Sequence, residues 1–210
     1  MWEPFQSDGV RGFLHRPDRA NGDALILTHG AGSNAQAPLL VRVAETFADA
    51  GGFLVLRYDL PFRQQRSKGP PNPRHAAQDR EGIEGAAEVL RGLTPGRIFA
   101  GGHSYGGRQT AMWAAERPGI ASALLLLSYP LHPPGQPDRK RTNFFPELRT
   151  RALFVHGDQD PFGTLEEMRE ALALIPALTD LLPVEGAGHY LKRVVVADIL
   201  ARFDALTKAP

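Results

Sequence analysis

The sequence predicts a single doubly wound α/β sandwich, one mostly parallel sheet with helices on both faces. Three observations predict it. Short runs with no polar face, such as Ala24–Thr28 and Ala123–Ser128, read as strands buried on both sides, as in parallel sheets sandwiched between helices. Segments with apolar residues at helical spacing alternate with these runs along the chain. No repeat and no compositional break marks a linker, so residues 1–210 are expected to form one domain.

Taken in order, Val10–Leu14 alternates weakly and runs into Arg16-Pro17-Asp18, an expected edge strand ending in a turn. Ala24–Thr28 is a denser strand that stops at His29-Gly-Ala-Gly-Ser33. Leu39–Ala50 carries Leu40, Val43, Ala44 and Phe47 on one helical face, and Gly51-Gly52 closes it before the strand Phe53–Arg57. Pro61–Pro73 holds four prolines with Arg63, Arg66 and Lys68. It shows neither period and reads as a solvated surface loop, whose cations have the alternative role of greeting an anionic substrate. Ala76–Leu93 is a helix with Ile83, Ala86, Ala87 and Leu90 on one face. The strand Arg97–Gly101, the helix Gln109–Glu116 and the strand Ala123–Ser128 follow. Tyr129–Leu148 contains Pro130, Pro133, Pro134, Pro137 and Pro146, which exclude most regular structure. A connection of that length is usually a lid or a binding loop, here a Pro-rich segment over 129–150 in place of a full cap. Ala152–Val155 and Asp180–Val184 read as strands, Leu165–Ile175 and Arg193–Leu206 as helices. In such sheets ligands bind beyond the carboxyl ends of the strands. The loops beginning at His29, Tyr58, His103, Tyr129, His156 and Gly186 should therefore converge on one rim.

Composition narrows the function classes. Lys and Arg total 24 against 23 Asp and Glu, a net charge of +1 that gives no reason to expect nucleic acid or an acidic membrane surface as partner. The absence of cysteine excludes disulfides, thiolate metal sites and a cysteine nucleophile. The N-terminal residues lack a basic and an apolar region of the signal-peptide kind, and the longest aliphatic run, Ala123–Leu127, is too short to span a bilayer. A cytoplasmic protein is expected.

The chemistry centres on Gly102-His-Ser-Tyr-Gly106, which fits G-x-S-x-G between a strand and a helix. Such a turn is sharp enough to strain the serine backbone, and side chains at its ends would collide, so glycine is needed at both. Ser104 would stand exposed at the tip. A serine hydroxyl needs a base to take its proton and a carboxylate to orient that base. Downstream, each in a Gly-marked loop past a strand, are Asp160 in His156-Gly-Asp-Gln-Asp-Pro161 and His189 in Glu185-Gly-Ala-Gly-His189. Asp158 is the rival acid, but a carboxylate so near the strand end is expected to cap the turn. The amides of Tyr105 and of Ala31, in the Gly-rich loop after the early strand, are the candidate oxyanion donors, although those glycines would equally serve a plain turn. Gly30, His103, Tyr129 and His132 are the candidate substrate-binding residues. Five histidines at strand ends, His29, His103, His132, His156 and His189, raise the question of a metal, but their spacing is not that of a zinc site, and no Walker lysine follows Gly51-Gly52 or Gly101-Gly102. No metal and no cofactor is expected. Arg108 lies in the first turn of the elbow helix, where a cation opposes the macrodipole at a cost of about 0.3–1 kcal/mol. A carboxylate such as Asp59 or Asp79 is its expected partner, with substrate binding as the other reading.

Leu27-Thr-His-Gly-Ala-Gly-Ser33, Leu56-Arg-Tyr-Asp, Gly102-His-Ser-Tyr-Gly-Gly-Arg108 and Ser128-Tyr-Pro-Leu-His-Pro-Pro134 resemble the small α/β-hydrolase-like family typified by the testis-expressed α/β-hydrolase-like proteins and a regulatory subunit of the nonspecific-lethal chromatin complex. Dienelactone hydrolases are a neighbouring comparison, but their nucleophile is cysteine where this chain has Ser104. The resemblance runs from about Ala24 to the last helix. It implies an α/β-hydrolase fold with little or no cap and a serine hydrolase, most simply a carboxylesterase of small acyl esters. The alternative it carries is a non-catalytic binding or scaffolding protein.

Overall fold

The computed structural model describes residues 2–209. One sheet is made of β1 (Trp2–Ser7), β2 (Val10–His15), β3 (Ala24–Thr28), β4 (Leu54–Tyr58), β5 (Ile98–His103), β6 (Leu124–Leu127), β7 (Ala152–Gly157) and β8 (Thr179–Val184). Their spatial order is β1-β2-β4-β3-β5-β6-β7-β8. β2 pairs antiparallel with β1 and β4, and all later pairs are parallel. The helices are α1 (Pro38–Asp49), α2 (Pro61–Gln65), α3 (Ala76–Leu93), α4 (Tyr105–Glu116), α5 (Leu165–Leu172) and α6 (Val196–Lys208), with 3₁₀ turns at Pro73–His75 and Phe145–Glu147. None is long and apolar enough to cross a membrane.

The two-sided burial of the strands divides the apolar residues between two cores. Ile26, Leu56, Ala100, Leu126 and Phe154 pack toward α3, α4 and α5. Their neighbours Leu25, Val55, Phe99, Leu125 and Val155 pack toward α1 and α6. Successive side chains of a strand point to opposite faces, so a run without a polar face feeds both cores at once. On the second face Phe99 meets Phe203 edge-on, with centroids 5.3 Å apart.

Three expectations are corrected. Val10–His15 is an inner strand, because Trp2–Ser7 folds back on it through Asp8-Gly9, both at positive φ (46° and 78°). That pair is a strong two-residue hairpin signal, and it identifies the edge strand that alternation alone passes over. Pro61–Pro73 is not a bare surface loop: it contains α2 and leads into the 3₁₀ turn, with Phe62 and Arg63 buried. The 129–150 segment, although mostly irregular, seats Tyr129, Leu131, Phe145 and Leu148 in the first core.

The register levels the strand ends that carry the site. Thr28 stands beside Gly102, His103 beside Leu127 and Gly157 beside Val184. The loops after β3, β5, β7 and β8 therefore leave the sheet along one rim.

Candidate active site

β5 ends at His103 and α4 begins at Tyr105, which leaves Ser104 alone in the bend at φ 54° and ψ −118°. L-residues hold such a conformation only where the surroundings impose it. Here the Ser104 amide donates to Leu127 O at 2.9 Å, and its carbonyl accepts from the Arg108 amide at 2.9 Å. A Cβ on Gly102 would strike Thr28 Oγ1 and lie 2.9 Å from the Gly107 nitrogen, and one on Gly106 would strike Thr28 Oγ1 and lie 2.5 Å from His29 O. Glycine is required at both ends of the elbow, as the sequence predicts, but the obstacle is chiefly the end of β3.

Two further loops meet this bend. His189 Nε2 lies 2.8 Å from Ser104 Oγ, and its Nδ1 lies 2.8 and 3.1 Å from the two oxygens of Asp160. With Nδ1–H donating to the carboxylate, Nε2 is left to accept the serine proton. The Asp160 side chain is fully buried, and its Oδ1 also accepts from the Phe162 amide at 2.9 Å. The Phe162 ring lies over the imidazole, centroids 4.3 Å apart. The two loops are fastened together by Gln159 N donating to Ala187 O (3.0 Å) and Asp158 N donating to Val184 O (3.2 Å). Only glycine at 157 permits this approach, since a Cβ there would collide with Ala187 O. Asp158 itself is exposed. The turn-capping role expected of it belongs to Asp160, which caps the turn and meets the histidine with the same carboxylate.

Above the serine, Gly30 offers no side chain: a Cβ there would lie 3.5 Å from Ser104 Cβ and 3.1 Å from His103 Nδ1. The amides of Ala31 and Tyr105 have no acceptor among the described residues, whereas the Gly106 amide is taken by His29 O at 3.1 Å. Tyr105 is anchored by its hydroxyl, which donates to Asp79 Oδ2 at 2.6 Å. Burial, followed by this bond to a carboxylate, pushes the Tyr105 pKa up. The Ala31 loop is anchored by Arg63, whose guanidinium donates to Ala31 O (2.8 Å), Ser33 O (2.8 Å), Gly69 O (2.9 Å) and Arg66 O (3.1 Å). Far from being a solvated cation, Arg63 is 5% exposed. Nothing in a Pro- and Arg-rich stretch signals that role, because carbonyls leave no sequence pattern.

The remaining histidines divide by position. His103 is buried, and its Nε2–H donates to the His189 carbonyl at 2.8 Å. Burial lowers its pKa to about 4. It also lines an apolar pocket of about 300 Å³ with Leu39, Leu40, Tyr190 and Leu191. His29 donates from Nδ1 to Gly30 O (2.9 Å) and accepts from the Leu60 amide at Nε2 (3.1 Å), and burial lowers its pKa. His156 donates to Gly163 O at 2.8 Å and so ties down the Asp160 loop. Among the described residues no three His, Asp or Glu side chains gather as a metal site.

Tyr129 and His132 bond to other parts of the chain than Ser104, Asp160 and His189. Tyr129 is fully buried and donates to Arg141 O at 2.6 Å. His132 is buried, donates to Pro133 O at 2.8 Å and faces Glu167 of α5 at 3.4 Å. Both side chains are engaged within the protein, and neither lines the apolar pocket beside His103. Arg108 pairs with neither expected acid. Asp79 accepts from Tyr105 and from the Phe62 amide (3.0 Å), and Asp59 accepts from the Ala35 amide (2.8 Å).

Solved structures share this architecture. Est1E from Butyrivibrio proteoclasticus, with ferulic acid bound, is 19% identical, with 99% of this chain and 100% of that one covered at a TM-score of 0.79. A dienelactone hydrolase from Anabaena variabilis is 20% identical, with 98% and 96% covered at 0.75. An alpha-beta serine hydrolase homologue from Coxiella burnetii is 16% identical, with 99% and 95% covered at 0.71. A family model described as the alpha/beta hydrolase domain matches residues 21–200. With that match spanning most of the chain, and the strand order and elbow in place, the chain belongs to the α/β hydrolase domain family.

Proposed function

We propose that the protein is a serine hydrolase, a carboxylesterase that works through an acyl-enzyme on Ser104. The observation that carries this reading is the unbroken relay from Ser104 Oγ to His189 Nε2 (2.8 Å) and from His189 Nδ1 to Asp160 (2.8 Å). As Ser104 Oγ attacks the ester carbonyl carbon, its proton passes to His189 Nε2, and buried Asp160 stabilises the imidazolium without taking a proton itself. The carbonyl oxygen becomes an oxyanion facing the free amides of Ala31 and Tyr105. Collapse breaks the bond to the alcohol, which leaves with the proton from His189. Water then gives a proton to His189 and attacks the acyl carbon, and Ser104 recovers its hydrogen as the acid departs. The strained Ser104 backbone keeps the hydroxyl presented, so little reorganisation precedes attack.

A fluorophosphonate probe tests the reading. Ser104 is expected to label in wild type, and Ser104→Ala is expected to abolish both labelling and p-nitrophenyl acetate hydrolysis with little change in melting temperature. Equal hydrolysis by the two folded proteins, or no labelling of wild type, would leave a binding protein on a hydrolase scaffold as the better account.

A further inference from the structure

An arginine-lined cleft runs from the candidate oxyanion amides. It has a volume of about 590 Å³ and is walled by Ala31 and Tyr105 at one end, by Pro70–Pro73 and Arg74 on one side, and by Arg80, Arg108 and Met112 on the other. Residues 105, 108, 109 and 112 lie three and four apart on α4, so one helix face forms the wall. The lining includes three arginines and no carboxylate.

The three cations are not equivalent. Arg80 is neutralised by Glu116 at 2.8 Å and also donates to Gln109 Oε1 at 3.0 Å. Arg74 is exposed and its side chain has no acidic partner among the described residues. Arg108 is the informative one. It sits in the first turn of α4, where the helix dipole disfavours a cation. Among the described residues its buried Nε has no hydrogen-bond partner and no acid forms an ion pair with it. Its guanidinium is hydrogen-bonded to the neutral Tyr129 hydroxyl and lies close enough to Arg141 that its charge, after burial, lowers the Arg141 pKa. A guanidinium held beside a helix N-terminus and near a second arginine, with no counterion among the described residues, is electrostatically incomplete. A ligand anion in the cleft would complete it through charge-assisted hydrogen bonds.

Direction follows from the relay. The leaving alcohol takes its proton from His189, so it lies toward the His189 loop, where Tyr190 and Leu191 line the apolar pocket. No residue of that loop borders the arginine cleft. With the leaving group on that side, the acyl part would extend the other way, past the candidate oxyanion donors and into the cleft.

We infer that Arg108, assisted by Arg74, binds a carboxylate at the far end of the substrate's acyl chain, so that the preferred substrates are half-esters of short dicarboxylic acids. This rests on the esterase reading above, and the test separates the two. p-Nitrophenyl hemiglutarate and p-nitrophenyl pentanoate have five-carbon acyl chains that differ in the terminal charge. Wild type is expected to favour the hemiglutarate in kcat/KM, and Arg108→Gln to cut the ratio of the two values by about tenfold or more, with Arg108→Lys between them. Raising the salt concentration should also compress the wild-type ratio. An unchanged ratio in folded Arg108→Gln overturns the inference. If that variant does not fold, Arg74→Gln, an exposed change, reads the same ratio: a fall supports the anion site and no change overturns it. Glutarate titrated calorimetrically into Ser104→Ala, with and without Arg108→Gln, needs no turnover. Binding weakened by the second substitution upholds the anion site even if no ester is cleaved, in which case the esterase reading alone falls. Binding that is absent, or indifferent to Arg108, overturns the inference.

Discussion

The ring of His103 donates its Nε2–H to the main-chain carbonyl of His189 at 2.8 Å, so the residue before the candidate nucleophile holds the loop that delivers the candidate base. The two rings sit 5.1 Å apart, and Tyr190 packs on both. Elbow and base loop are thereby set against each other by one bond that spans 86 residues of sequence. His103→Ala is expected to let the base loop shift and to lower kcat for p-nitrophenyl acetate by about ten- to a hundredfold, since small misplacements of a catalytic group cost that much. His103→Gln retains an N–H donor and should recover part of the loss. Equal rates for the alanine and wild-type proteins would show that the bond does not position His189.

The buried histidines set the pH response of stability. His103 and His15 have pKa values lowered from 6.5 to about 4, in both cases first by burial, with Arg57 adding to the effect at His15. His29 and His156 are lowered in the same sense by burial. Below pH 6.5 the unfolded chain takes up protons that the folded chain refuses until about pH 4. The stabilisation is therefore complete above 6.5 and lost as pH falls through that window. Each such histidine steepens the loss by at most about 1.4 kcal/mol per pH unit. The melting temperature should drop markedly between pH 7 and pH 4.5, and less steeply in His103→Gln. A flat profile over that range would contradict the assignment.

Features governed by local pattern were legible in the sequence: the two-faced strands, the helix Ala76–Leu93 with its observed bounds, and the glycine-flanked elbow. Ser104, Asp160 and His189 were legible because each follows a strand end at a glycine, and the sheet order brings those ends to one rim. What escaped depends on where backbone carbonyls lie. Arg63 reads as a surface cation until its four carbonyl acceptors come together. Tyr129 and His132 follow β6 and so look like rim residues, yet the chain turns them inward, where Phe145 and Phe154 pack on Tyr129. Phe162 meets His189 across 27 residues by ring stacking, a contact that no spacing rule announces.

The two aspartates of the loop after β7 separate cleanly by mutation. Asp160→Asn removes the charge facing His189 Nδ1 and permits the wrong imidazole tautomer, so kcat should fall on the order of 10³–10⁴-fold in a protein that remains folded. Asp158→Asn changes an exposed side chain and should stay within about twofold of wild type. Steady-state kinetics on p-nitrophenyl acetate decide it, and comparable losses in both variants would rule out Asp160 as the sole orienting acid.

Arg63 offers the sharpest separation of a positioning role from a catalytic one. Its guanidinium fork reaches four carbonyls on two segments, two of them, Ala31 O and Ser33 O, within the loop that carries the candidate oxyanion amide of Ala31. Lysine at this position has no planar fork and cannot hold all four. Arg63→Lys should therefore loosen the Ala31 amide, lowering kcat several-fold while KM changes little, because the oxyanion contact strengthens only in the transition state. Arg63→Ala should go further, stranding buried carbonyls and lowering unfolding free energy by about 2–4 kcal/mol in urea titrations. Fluorophosphonate labelling of Ser104 should slow in parallel with kcat in both variants, since phosphonylation draws on the same two amides. Labelling at the wild-type rate in a variant with reduced kcat would place the defect in deacylation and remove Arg63 from the support of the candidate oxyanion loop.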